Sequence, residues 1–400
     1  MASSRTVVIA GAGIGGLTAA LTIARHGYRV VLLEQAERLE ETGAGIQLSP
    51  NASRVLIGLG LGERLAPYIA SPQELTVANA RSGRVLARAP LGAAAEQRYG
   101  APYWVIHRGD LQSVLLEAVQ ANPDIVLRLG TRVDDFATHS NGLTVAAHSR
   151  HETVEERSVA LIGADGLWSR VRGRLGHGQA PRFAGQAAWR ALVPAEAVAC
   201  ELSIPTVNLW LGRDGHVVYY PVRGGRLINV VAITRDDWSE PGWSAPGGRT
   251  ELLARFRDSA WRGPPRDILH AAERWLKWAL FDTAPLSYWG RGPVTLLGDA
   301  AHPMLPYLAQ GAAMAIEDAA ELGHCMAGIE PAGSDLAGAM RRYEQRRLAR
   351  TAHAQREARR NGAIYHMSPV AGFVRSLAIA AMGGERLISR YDWLYGWTPA

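Results

Sequence analysis

The chain alternates between short, fully apolar runs and longer stretches with helical spacing. Residues 6–10, TVVIA, form a β-branched run with no polar face, the pattern of a strand covered on both sides. Residues 14–26 read as a helix, and 28–34, YRVVLLE, return to a buried strand. Strand, helix and strand in that order predict a parallel pair joined by a right-handed crossover. Residues 107–119, HRGDLQSVLLEAV, set Leu111, Val114, Leu115 and Val119 at helical spacing, and 158–166, SVALIGADG, read as a buried strand ending in a turn. Hairpins are predicted over 74–89, turning at Ser82-Gly83, and at Asn141-Gly142.

The middle of the chain changes character. Segments 206–211, 216–222 and 226–234 are strand-like and separated by RDG and RGG turns, which predicts an antiparallel meander. Residues 293–298, PVTLLG, form one more short buried strand, and from about 310 onward the pattern is mostly helical. The fold class this implies is α/β: a Rossmann-like nucleotide domain interrupted by an antiparallel-sheet domain, with a helical C-terminal region. The nucleotide domain is expected over 1–72, 98–178 and 280–345, the sheet domain over 73–97 and 179–279, and the helical region over 346–400.

Composition narrows the function. With 400 residues, 48% hydrophobic and 20% charged, the chain can bury a large core as an ordinary globular protein. No uncharged apolar run reaches the ~18 residues of a spanning helix, and the N-terminus lacks the long apolar stretch of a secretory signal. The only cysteines are Cys200 and Cys325. A disulfide framework is therefore not expected, and the cytoplasm is the expected compartment. The net charge of +6 comes almost entirely from arginine, Lys277 being the single lysine. In the densest run, 341–360, Glu344 and Glu357 interrupt the arginines, which predicts a solvated helix face. No zinc-ligand spacing and no basic stripe interleaved with aromatics is present, so neither a metal nor nucleic acid is expected.

The chemistry lies in three glycine–acid elements. Gly11-Ala12-Gly13-Ile14-Gly15-Gly16 follows a predicted strand, opens a helix and has Glu34 at the end of the next strand. Gly11 suits the tight turn, Gly13 the approach of a pyrophosphate, and Gly16 close helix–strand packing, while Glu34 can accept from a ribose. The element alone does not separate NAD from FAD. The second is GADGLWSRVR, 163–172; the third is GDAAHPMLPYLAQGAAMA, 298–315, where a proline-broken turn precedes a helix of small residues. Each of these two could be an ordinary turn by itself.

Taken together, the three resemble the motifs of the single-component FAD-dependent aromatic hydroxylases, the p-hydroxybenzoate hydroxylase-like flavoprotein monooxygenases. GAGIQLSPNA at 43–52, HRGDL at 107–111, YPVRGGRLINVVA at 220–232 and DWLYGW at 392–397 resemble the subgroup of salicylate hydroxylase, 3-hydroxybenzoate 6-hydroxylase and 6-hydroxynicotinate 3-monooxygenase. The resemblance implies a bound FAD, transient NADH or NADPH, dioxygen and a small aromatic acid, with hydroxylation through a flavin hydroperoxide; a homodimer is a family-level expectation. It places Gly11, Gly13, Gly15, Gly16, Glu34, Gly45, Arg108, Val133, Asp165, Asp299, Gly311 and Ala312 around the cofactor. The small residues at 311–313 would let the helix N-terminus approach the pyrimidine edge of the flavin, where reduced flavin is anionic.

On the substrate side, His216 and Tyr220 share one face of a predicted strand, a spacing equally compatible with core packing. In the subgroup a His and a Tyr so spaced contact substrate, which makes them the catalytic candidates, with Tyr307 as a third. Gln47 and Arg190 are candidates for substrate binding, against a loop hydrogen bond and a surface salt bridge respectively. Trp210 is a candidate pocket wall, against core packing, and the same choice holds for Trp189. His302 reads as structural. Tailoring of a larger natural product, an NAD-dependent dehydrogenase and a non-catalytic flavin-binding scaffold remain as alternatives.

Overall fold

The computed structural model describes residues 5–39, 44–140, 142–150, 152–202, 204–242, 245–257, 261–329 and 335–399. Gly43 and Asn141 of the segments discussed above lie outside these. Five strands form a wholly parallel sheet in the order Val294–Leu296, Ala160–Gly163, Thr6–Ala10, Arg29–Leu33, Ile125–Arg128. Thr6–Ala10 is its central strand, and Val7, Val8 and Ile9 are fully buried, which accounts for a run with no polar alternation. The helix Ile14–Ala24 leaves this strand through Gly11, whose φ of +101° no side chain adopts comfortably.

The second body is an eight-stranded sheet. Its order is Ala245–Gly247, Trp275–Asp282, Arg182–Pro194, Leu227–Arg235, Gly215–Val222, Thr206–Leu211, Glu74–Asn79, Val85–Pro90. Every pairing is antiparallel except Thr206–Leu211 with Glu74–Asn79, which is parallel. The meander expected over 206–234 is present, but the flanking strands Arg182–Pro194 and Trp275–Asp282 have no clear signal in the sequence. In the first, the register shifts between Phe183 and Ala187 around Gly185 at φ +70°, so period-two alternation is interrupted.

Alternation gives the sheet two different faces. Trp189, Trp210, Val217, Tyr219, Val230 and Ala232 point to one side, where Trp261 and the short helices Arg249–Arg255 and Pro264–Ala271 cover them in an apolar core. The opposite face carries Arg190, His216, Val218, Tyr220, Val231 and Trp278, and it looks toward the parallel sheet. Two small sheets complete the structure: one pairs Gly45–Leu48 with Trp104–His107 beside Gly215–Val222, and the three-stranded Arg132–Ser158 meander packs on the parallel-sheet body.

From Gly311 onward the chain is helical, as expected: Gly311–Met326, Leu336–Tyr365 and Pro369–Ser389. The arginine run on the second of these is not a uniformly solvated face. Arg347 is 1% exposed. It donates from Nη1 to Glu317 (2.5 Å) and from Nε to Asp318 (2.7 Å), and Arg350 also grips Glu317 at 2.7 Å. The acids come from the neighbouring helix, so the interleaved glutamates within the run gave no sign of the pairing. Removing one partner of such a buried pair costs about 3–5 kcal/mol.

Pro369–Ser389 is broken at Gly383 (φ +71°), and the turn lets Gly384 press on the Val85–Pro90 strand. A Cβ at Gly384 would lie 1.6 Å from the carbonyl oxygen of Arg88. Gly384→Ala is therefore expected to destabilise the protein by about 1–3 kcal/mol, as overpacking does. A thermal midpoint equal to that of the unaltered protein would show that this contact does not hold the helix.

Candidate active site

An elongated cavity of about 1210 Å³ lies between the carboxyl ends of the parallel strands and the inner face of the eight-stranded sheet. This is where open α/β sheets bind ligands, because the loops diverge there. Gly11, Gly13 and Gly15 line it, and Gly16 sits behind them: a Cβ on Gly16 would lie 1.9 Å from the Gly11 oxygen. A Cβ on Gly13 would meet no protein atom within 4 Å, so its backbone faces open space. Gly311 and Ala312 line the opposite wall, and the nearest atom to a Cβ on Gly311 is Asp299 Oδ1 at 4.0 Å. Neither Ile14–Ala24 nor Gly311–Met326 has a side-chain cap at its N-terminus. Two sets of orphan amides thus face one cavity, a donor arrangement suited to pyrophosphate and to an anionic ring edge.

The remaining cofactor candidates sort by what their polar atoms do. Glu34 closes the loop, accepting the Ala12 N–H at 2.7 Å on one oxygen and the Ala36 N–H at 2.8 Å on the other, with lone pairs left for a ribose. Val133 lines the same end. Arg108 and Asp299 line the middle; burial lowers the basicity of the guanidinium and raises the pKa of the carboxyl, and each partly offsets this for the other. Asp165 borders the cavity, but its carboxylate accepts from Ser169 Oγ (2.6 Å) and the amides of Arg170 (2.8 Å) and Val171 (3.1 Å). Its side chain caps the helix Arg170–Arg174, so it shapes the turn more than it reaches a ligand. Gly45 has Asn229 Oδ1 on its amide at 2.6 Å, and a Cβ there would lie 2.6 Å from the Tyr220 ring. The glycine lets the small sheet cross the substrate face closely. These groups fit FAD: a glycine cradle, an acid for the ribose and a mixed-charge channel between them.

At the far end, the inner sheet face brings His216, Tyr220 and Arg190 together with Gln47. Gln47 receives a hydrogen bond from Tyr103 at 2.6 Å. Burial raises the Tyr220 phenol, with Arg190 as a smaller opposing influence. His216 is 2% exposed, and burial together with His366 lowers its pKa well below the usual value, so it is a neutral base at pH 7. Among the described residues, Arg190 makes no salt bridge. It lies in the cavity with its guanidinium 3.2 Å over the Trp278 ring, and burial and Arg108 lower its pKa to about 9. Its buried Nε has no hydrogen-bond partner among the described residues.

Two expected site residues are elsewhere. Trp210 is paired with Val217, one step out of phase with His216, and points into the core on the far face together with Trp189. Tyr307 does not line the main cavity; its ring packs against His216 at 5.5 Å and its hydroxyl donates to Gln186, beside a second, smaller cavity. His302 is buried on Asp318 at 2.5 Å, outside the cavity. Sequence reading missed Trp278, and also Gln310, which Ser49 (2.8 Å) and Asn51 (3.1 Å) hold at the start of the late helix. Gln310 lay in a quoted motif; Trp278 sits on a strand that had no clear pattern.

Residues 4–358 match the FAD binding domain family. The chain belongs to that family. Within it, the chain is 37% identical to 3-hydroxybenzoate 6-hydroxylase 1 of Aquipseudomonas alcaligenes, over 98% of this chain and 97% of the other. It is 38% identical to 3-amino-4-hydroxybenzoate 2-monooxygenase PtnB3 of Streptomyces platensis, over 98% and 96%. A solved salicylate hydroxylase substrate complex superposes with a TM-score of 0.81 at 26% identity, covering 100% of this chain and 97% of the other. This member of the FAD binding domain family is an NAD(P)H-dependent flavin monooxygenase of the aromatic hydroxylase type. Among the described residues, no single helix is long and apolar enough to cross a membrane.

Glu34→Ala removes the acceptor for two loop amides and the carboxylate that the resemblance assigns to the ribose. Its affinity for FAD, read by flavin fluorescence, is expected to fall about 10- to 100-fold, the scale of one or two charge-assisted hydrogen bonds. Unchanged affinity would exclude Glu34 from the cofactor site.

Proposed function

We propose that the protein hydroxylates a small hydroxylated aromatic carboxylate of the salicylate, hydroxybenzoate or hydroxynicotinate class, using NAD(P)H and dioxygen. The observation that carries this reading is the inner sheet face. It is apolar through Val218, Val231, Ile233 and Leu280, with one guanidinium, one imidazole and one phenol set into it. Such a surface suits a flat ring bearing one anionic and one hydroxyl group. Arg190, stacked on Trp278 with its Nε free, meets the carboxylate; a buried cation lacking a counter-ion gains most from an anion. His216 accepts the ring hydroxyl proton, which makes the ring electron-rich at its ortho and para carbons. Tyr220 donates to the resulting phenolate. FAD, when bound, supplies the redox chemistry with NAD(P)H and dioxygen. The walls around it exclude water from the reacting ring.

The domain division supports the same picture, with FAD on the parallel-sheet body and substrate on the eight-stranded sheet. We place the protein in the cytoplasm as a homodimer, in which a partner would cover the exposed Val370, Phe373, Val374 and Leu377.

The test is a screen of salicylate, 3-hydroxybenzoate, 6-hydroxynicotinate and 3-amino-4-hydroxybenzoate for stimulated NADH and NADPH consumption, with the product identified by mass. A product with one added oxygen, with or without loss of the carboxylate as carbon dioxide, is the expected outcome on one of them; stimulation by none would turn the reading toward a larger substrate or a silent scaffold. With the active acid, Arg190→Met is expected to raise KM about 10- to 100-fold, the scale of a lost charged hydrogen bond. The same variant should leave KM for the phenol lacking the carboxylate nearly unchanged. His216→Phe is expected to slow hydroxylation about 10²-fold or more while NADH oxidation continues into peroxide. Full coupling in that variant would remove His216 as the base.

A further inference from the structure

His216 does not end at the catalytic cavity. Its Nδ1 lies 2.9 Å from Nε2 of His366, a residue 150 positions later at the end of Leu336–Tyr365. The two rings overlap at 5.1 Å between centroids, and Tyr365 and Tyr307 pack on His216 at 5.2 and 5.5 Å. Nδ1 of His366 lies 2.7 Å from Nε2 of Gln186, whose Oε1 accepts from the Tyr307 hydroxyl. His216 borders the main cavity, whereas His366, Gln186 and Tyr307 border a neighbouring one of about 370 Å³ that Arg235 and Arg359 also line. A pair of imidazoles thus bridges two cavities, His216 lining one and His366 the other, with His216 Nδ1 on His366 Nε2 and His366 Nδ1 held on Gln186.

We propose that His366 is the outlet for the proton that His216 takes from the substrate, delivering it to water in the second cavity. This rests on His216 being the base named above. The bonds balance as follows. The substrate O–H breaks as an Nε2–H forms on His216; the Nδ1–H of His216 breaks as an Nε2–H forms on His366; the Nδ1–H of His366 passes to water. Both rings end neutral with their protons on the opposite nitrogens. Return of a proton from His216 Nε2 to the product phenolate runs the same chain backwards and resets it.

The surroundings favour passage over storage. Burial, helped by Arg235 and Arg375 and opposed by Asp214, lowers the pKa of His366 to about 4. His216 is lowered by burial and by His366. Arg359, the other cation at the outlet, is engaged by Asp282 at 2.6 Å. No ring on this path retains an extra proton at neutral pH, so charge moves through the pair without resting in it. Gln186 sets the direction. With its NH₂ toward His366, Nδ1 of that ring accepts, and His216 presents an N–H to the substrate. With the amide turned over, His366 donates to its oxygen, and His216 presents a bare Nε2. Water enters at the same atom when Gln186 swings aside.

Two measurements decide it. In FAD-loaded protein labelled with ¹⁵N-histidine, without substrate, a through-hydrogen-bond coupling is expected between His216 Nδ1 and His366 Nε2, assigned by its loss in His366→Phe. Its absence overturns the proposal whatever the substrate proves to be. In stopped flow with 3-hydroxybenzoate as the probe, the phenolate absorbance is expected to rise at least 10-fold more slowly in His366→Ala, with FAD affinity unchanged. Imidazole added to the buffer should restore the rate in proportion to its neutral form. Phenolate formation in His366→Ala at the unaltered rate, or slowed but not restored by imidazole, overturns the outlet. If the unaltered protein yields no phenolate and the screen finds no active acid, the functional reading fails, and the nitrogen coupling still decides whether the pair exists.

Discussion

Where the three glycine–acid elements converge, backbone has to touch backbone. A Cβ on Gly11 would lie 2.4 Å from the Ala164 oxygen, and one on Gly15 2.7 Å from Leu297 and 3.0 Å from Ala315. Gly298, at φ +61°, stands equally close to Ala315. Gly11 and Gly15 each bring the first element onto another of the three, and Gly298 lets the third fold back onto its own helix, so the cradle exists only because side chains are missing at these points. The same omission leaves the amides of two helix ends facing one space, where their partial charges act on a single ligand.

That convergence is held from behind by charge. Asp318 takes the Gly298 amide at 3.0 Å, His302 at 2.5 Å and Arg347 at 2.7 Å, linking the third element to two long helices. Its carboxyl is kept at about 2, the pull of His302 and Arg347 exceeding the opposing effect of burial. Glu317, next to it, joins Arg347 and Arg350 to Asn51 at 2.5 Å, and Asn51 in turn holds Gln310. The loop that lines the cavity ahead of Gly311–Met326 is therefore positioned by a buried polar network whose loss would be felt as misplacement as well as instability.

How much of this could be read along the chain depended on range. Thr6–Ala10 and the glycine loop were legible because burial on both faces and a tight turn leave local marks. His216 and Tyr220 could be placed on one face because a strand's period is fixed. Which face meets the cavity is a matter of the neighbouring strands, and it was this that put Trp210 in the core and Arg190 in the site. Arg347 read as a surface residue because its acids lie on another helix. His366 carried no mark at all: its role arises only from a helix end meeting a strand formed 150 residues earlier.

The one parallel pairing in the larger sheet has a consequence for how the chain reaches its native state. Thr206–Leu211 lies beside Glu74–Asn79, and Arg182–Pro194 needs Trp275–Asp282 on its other side. The parallel sheet in turn is completed by Val294–Leu296. On a ribosome, Glu74–Asn79 must wait for Thr206–Leu211, and Ala160–Gly163 for Val294–Leu296, through more than a hundred residues of synthesis each, a span in which loop-closure entropy delays the pairing. Neither layer has its last strand until Trp275–Asp282 and Val294–Leu296 have emerged, so the two sheets are completed within a short stretch of synthesis of one another.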